Sequence, residues 1–140
     1  MHKISLYLIV PAALVLFART SSGEILNCPP QIQTHPKANE VAGWEMLAEP
    51  AQHYFENAGI YSGHPREQAS LVPDEQVGAK KLTARWSLPP NSQHAYWLGC
   101  SYRGTTVMAV RQLDSHYRSC SIEYAKRRGS GLEIKQIQCN

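Results

Sequence analysis

A small antiparallel, mainly β domain, either a sandwich or a partly open barrel, is the fold that this sequence predicts. Three observations carry it. Lys81 to Leu88 alternates cleanly, with Leu82, Ala84, Trp86 and Leu88 on one face and Lys81, Thr83, Arg85 and Ser87 on the other. That is the period of a strand with one buried side and one wet side. Ala95 to Arg111 reads as two strands folded back at Arg103-Gly104, where glycine supplies the positive φ of a tight turn. Four cysteines follow an apolar leader, the pattern of a small exported domain stapled by two disulfides. The same reading gives a C-terminal meander and at most one short helix.

Taken in order, the chain opens with a basic Met1-His-Lys3. An apolar run from Ile4 to Ala18 and a small, polar Arg19-Thr-Ser-Ser-Gly23 follow. This is a signal peptide over residues 1–23, cleaved after Gly23. The run is shorter than the ~20 residues of a spanning helix, and Cys28 lacks the small preceding residue of a lipid acceptor. The expected product is a periplasmic, secreted chain of residues 24–140, without a stable membrane anchor and of single-domain length. Prolines at 29, 30 and 36 predict an extended N-terminal arm over 24–39. Val41, Trp44 and Leu47 have helical spacing but sit between Gly43 and Pro50, so a short helix and a strand from Trp44 fit equally.

His53 to Ser62 favours β structure, and Gly63-His64-Pro65 breaks it. Ala69 to Val72 is a short strand stopped by Pro73-Asp74. In the central hairpin, closure at Arg103-Gly104 sets Tyr102 opposite Thr105, Cys100 opposite Val107 and Leu98 opposite Ala109. Trp97, Met108 and Val110 then occupy the other face. Apolar residues on both faces predict a hairpin covered on both sides. In Ser119 to Ala125, Cys120, Ile122 and Tyr124 alternate with polar residues, and Lys126 to Gly131 is a hairpin loop. From Leu132 to Cys139 the apolar residues change parity, which predicts a bulge near Lys135-Gln136.

Four cysteines allow three pairings. In a meander, Cys100 and Cys120 lie two strands apart, roughly twice the ~4.8 Å strand spacing and beyond the ~7 Å Cα limit of a disulfide. The Lys126–Gly131 hairpin brings Cys139 close to Cys120. Cys120–Cys139 is therefore preferred, leaving Cys28 to Cys100. Cys28–Cys139 with Cys100–Cys120 is the alternative, if those strands face each other across a sandwich.

Several runs together support a family resemblance: Cys28-Pro29, Trp44, Leu71-x-Pro73-Asp74, Trp86-x-Leu88, Tyr96-Trp97-Leu98-x-Cys100-x-Tyr102-x-Gly104-Thr105, Cys120-x-Ile122-x-Tyr124 and Cys139. With these the chain resembles a family of small secreted proteobacterial four-cysteine proteins of uncharacterised function. The Tyr-Trp-x-x-Cys-x-Tyr-x-Gly-Thr run is the most specific part. The resemblance implies a periplasmic β protein and implies no catalytic residues.

The residues point to few chemistries. There is no G-x-S-x-G elbow, and a Cys100 nucleophile with His94 or His116 as base competes with disulfide formation. No histidine or cysteine pair has metal-site spacing, and no cofactor is expected. No two of the scattered acids are placed for glycoside hydrolysis. The indole and phenol rings, Trp44 included, read mostly as core. Trp97 is the least certain, and if exposed it is an anchor for a partner. Residues 24–78 carry two basic groups against eight acids, and residues 79–140 carry ten against three. Arg103 at the hairpin tip, with Arg127 and Arg128 in the last loop, could form a basic partner-binding face. Nucleic acid does not fit a nearly neutral exported chain.

The sequence therefore points to a non-enzymatic periplasmic binding protein of unknown ligand, with an envelope protein as partner. An inhibitor or immunity factor against a cell-wall-attacking enzyme is one form of it. A cell-envelope enzyme or small-ligand carrier is the alternative. Oligomeric state is not legible in the sequence.

Overall fold

The computed structural model describes residues 23–78, 82–90, 93–129 and 131–140, so residues 1–22, nearly all of the expected signal peptide, lie outside the described chain. Its strands are β1 Glu24–Leu26, β2 Gln31–Thr34, β3 Ala51–Ser62, β4 Thr83–Ser87, β5 Tyr96–Tyr102, β6 Met108–Gln112, β7 Ser119–Lys126 and β8 Leu132–Cys139. A single 3-10 turn at Pro65–Glu67 follows β3. Two four-stranded antiparallel sheets result, in the orders β1-β8-β7-β4 and β2-β3-β5-β6. Alternate side chains of both sheets point into one core. Ile60, Leu98, Ile122, Leu88, Cys120 and Cys139 are all but fully enclosed there. Each buried Ile or Leu contributes roughly 1.5–3 kcal/mol.

Both disulfides follow the preferred pairing. Cys120 and Cys139 are directly opposed across β7 and β8, with Cα atoms 4.1 Å apart, and Cys28 joins Cys100 at 5.9 Å. A Cys100 nucleophile is thereby excluded. The β8 bulge also forms as expected: Glu123 opposes Gln136 and Tyr124 opposes Ile134, leaving Lys135 as the extra residue.

Four expectations are corrected. The hairpin register is moved by two residues, with Cys100 opposite Ala109 and Leu98 opposite Arg111. The loop runs longer because Thr105 Oγ1 accepts from Val107 N–H at 3.1 Å, and a shift of two leaves every side chain on its expected face. The hairpin is not covered on both sides, because β6 is a sheet edge and Val110 is exposed. The meander divides: β5-β6 and β7-β8 are hairpins of different sheets. Leu113 and Tyr117 are buried in the connection and carry it over the end of the core, where Arg118 C=O accepts from Leu88 N–H at 2.8 Å.

The N-terminal arm enters both sheets, with β1 edging one and β2 the other, and Cys28 at the crossing. The Ala69–Val72 stretch is a strap rather than a strand. It bonds β3 through Leu71 N–H to Ile60 C=O at 2.8 Å. It reaches β4 through Asp74 N–H to Arg85 C=O at 2.8 Å, closing one side of the sandwich.

Tyr117 ties β1 to that crossover. Its hydroxyl donates to the Glu24 carboxylate, which also lies 3.5 Å from Arg111. The hydrogen bond to Glu24, with burial second, pushes the Tyr117 phenol up to about 12. A phenol raised in the folded state keeps its proton longer than in the unfolded chain. Its stabilisation is complete below pH ~10 and is lost as pH rises from ~10 to ~12. Denaturant melts across that window should show falling stability. The Tyr117→Phe variant should fall less steeply, with a residual slope from Tyr102 and Tyr124, whose phenols burial also raises. Equal slopes in the two proteins would contradict the Tyr117–Glu24 bond.

Candidate functional site

One end of the sandwich gathers exposed arginines and most of the exposed large apolar side chains described. It carries the β5-β6 turn, the β7-β8 loop and the long β2-β3 connection. The turn is built rigidly. Gly104 takes φ 74°, Arg103 N–H donates to Tyr54 C=O at 3.0 Å, and His53 Nδ1 lies 2.9 Å from Arg103 C=O. His53 Nε2 is 3.0 Å from Thr34 Oγ1, which ties in β2 as well. A bulge in β3 leaves Glu56 unpaired between Phe55 and Asn57. That re-aims its carboxylate at Arg103, whose Nε sits 3.2 Å away. Across a shallow cleft of about 260 Å³, Arg127 lies 3.6 Å from Glu133, above Phe55, Leu132 and Ile134. Such exposed pairs contribute ~0–1 kcal/mol. They orient the guanidinium groups and leave their outer edges open to a partner.

The structure thus brings Arg103 and Arg127 together, with Arg128 exposed in the same loop as Arg127. It does not bring Trp97 to them. Trp97 lies six residues before Arg103, roughly 20 Å along the strand. There it opposes Tyr61 and packs edge-on against His64, with centroids 4.6 Å apart, and is half-buried.

The sequence reading missed the β2-β3 connection, residues 35–50. Neither the helix nor the strand expected there forms, and Trp44 is not core. A four-residue turn bonds Trp44 N–H to Val41 C=O at 3.0 Å, with Gly43 at φ 81°. Trp44 is 75% exposed and Leu47 86%, with Val41 and Met46 also exposed. Of the exposed large apolar residues described, only Ile25, Val72 and Val110 lie away from this end. Prolines at both flanks, Pro36 and Pro50, and glutamates at 40, 45 and 49 were the available signal.

A larger groove of about 490 Å³ lies by the strap, lined in part by Leu71, Val77, Trp86 and Tyr124. Among the described residues, no carboxylate, imidazole, lysine or arginine lines it.

Residues 49–140 match the type VI secretion system Tli immunity protein family. The chain belongs to this family. No curated protein and no solved structure matches it. Membership of an immunity family supplies a role that the resemblance to small secreted proteins left open. It also fits the inhibitor or immunity reading better than the ligand-carrier alternative. The matched span includes β3 to β8, both bulges and the arginine cleft, while residues 35–48 of the exposed loop fall before it. No helix among the described residues is long and apolar enough to cross a membrane.

Proposed function

We propose that this chain is a periplasmic immunity factor. It binds a type VI effector enzyme that attacks the cell wall and blocks it by occupation, without chemistry of its own. Residues 1–23 direct export and are removed in the process, and the effector is the envelope protein partner. The observation that carries the reading is the loop-bearing end, where oriented arginines and exposed apolar side chains meet on a framework held by two disulfides. A rigid scaffold with its recognition groups in loops at one end suits tight protein docking. The cleft is small for a metabolite and well placed as part of a protein interface. Arg103, Arg127 and Arg128 supply a basic rim that speeds encounter with an acidic patch and fixes register.

The test is co-culture. A strain lacking this protein should be outcompeted by its parent only while the parent's type VI secretion is active, and the exported chain should restore it. Equal fitness of the two strains would sink the immunity reading. Replacing Arg103, Arg127 and Arg128 together with Ser should change stability by under ~1.5 kcal/mol, at about 0.5 per exposed site. It should also weaken protection and the salt sensitivity of effector capture. An unfolded triple variant would show that these residues are structural instead.

A further inference from the structure

We infer that the 35–50 loop is a docking peg, in which Trp44 and Leu47 insert into an apolar pocket of the effector whose rim carries Lys or Arg. The inference rests on the immunity reading and names the contact within it.

Three observations argue for this occupant. The first is exposure without cause in the fold. Trp44 and Leu47 leave three quarters or more of their surfaces to solvent. Singly exposed apolar residues are ordinary, but four within seven positions on one projecting loop are not. Tryptophan is also the residue most enriched at interface hot spots. The second is presentation. Gly43 takes φ 81°, and a Cβ built there meets nothing within 4 Å. No neighbouring contact calls for glycine at this position, so the positive φ that bends the turn before Trp44 is its requirement.

The third is charge. Glu40, Glu45 and Glu49 surround the peg, with Lys37 as the only basic residue of the loop, histidine aside. These glutamates form no ion pair among the described residues, and Arg103 and Arg127 pair with Glu56 and Glu133. An acidic collar around an apolar tip fits a basic-rimmed pocket. It is repelled by an anionic lipid surface.

The test uses the full exported chain and the co-culture assay. The double variant Trp44→Ala/Leu47→Ala should melt as the parent protein does and keep both disulfides. At native expression its protection should fall to that of the deletion strain, as a loss of about thirty-fold or more in affinity predicts. Should that variant fail to accumulate, Gly43→Val disturbs the turn while removing no contact, and protection should fall likewise. Val72→Ala, exposed at another part of the surface, should protect fully. Glu40→Lys/Glu45→Lys/Glu49→Lys should also lose protection.

Full protection by a folded Trp44→Ala/Leu47→Ala variant would overturn the peg while leaving the immunity reading intact. A deletion strain that survives would instead overturn the reading beneath it. Full protection by the charge-reversed loop would overturn the basic rim. Trp44-dependent binding to phosphatidylglycerol vesicles, or a Trp44-dependent dimer in sedimentation, would each assign the loop another occupant and overturn the proposal.

Discussion

Replacing Cys28 and Cys100 together with serine will lower the unfolding free energy by about 4 kcal/mol, the entropic worth of a loop spanning 72 residues. Cys120–Cys139, which closes 19 residues, should be worth about 3 kcal/mol. The longer bridge also pins the place where the chain passes between the sheets. Cys28 stands where the chain leaves β1 in one sheet and enters β2 in the other. It is tied to Cys100 in the middle of β5, beside Leu98 and Tyr102 in the core. The Tyr102 hydroxyl donates to Pro29 C=O at 3.0 Å, so the crossing has a second, weaker fastening. Loss of the bridge should therefore free both N-terminal strands before the core opens. Thermal melts and hydrogen exchange of β1 and β2 check this, with a fall in Tm on the order of 15 °C. A Tm loss smaller than that from removing Cys120–Cys139 would contradict the loop-length argument.

Trp86→Ala should cost about 3–5 kcal/mol, the range for removing a large aromatic side chain from a packed core. Trp86 is buried on the inner face of β4, and its Nε1–H donates to Leu71 C=O at 3.0 Å. One side chain thus fills the core and holds the strap across the open side of the sandwich. Asp74 helps from the strap, accepting Ser87 N–H at 2.6 Å, and hydrogen bonding to Ser87 holds its carboxyl below the usual range. Without the indole the strap should detach, and proteases should cut between Ala69 and Gly78. Trp86→Phe separates the two roles, because it keeps most of the packing and loses only the donor, at ~1–2 kcal/mol. Urea unfolding with limited proteolysis reads both quantities. A loss under ~1 kcal/mol for Trp86→Ala, with the strap still protected, would show that closure depends on other contacts.

The two features of the candidate site, its arginines and its exposed apolar loop, differed in legibility. Arg103, Arg127 and Arg128 stood out as a basic group because each falls in a turn, and turns are surface segments whatever the topology. The meeting of Arg103 and Arg127 in one cleft depended on which hairpins end together, and that is a property of sheet order. Trp44 was misplaced for a related reason. Apolar residues at positions 41, 44 and 47 mimic a helical face, and only the absence of a surface for that face to cover distinguishes a peg from a core helix.

By itself the sequence determined the β class, the strands of alternating residues and the β8 bulge, and it favoured Cys120–Cys139 through the closing hairpin. Each of these follows from local period, turn chemistry or short-range reach. A two-residue period states which side of a strand is buried, and a parity change states where an extra residue must sit. Only the tertiary structure decided that the hairpins part into separate sheets and that the N-terminal arm edges both of them. It alone placed Glu56 against Arg103 and left Trp44 in solvent. These outcomes depend on which apolar faces meet across the core. The local pattern says only that each face must be covered, and many pairings of faces satisfy it equally.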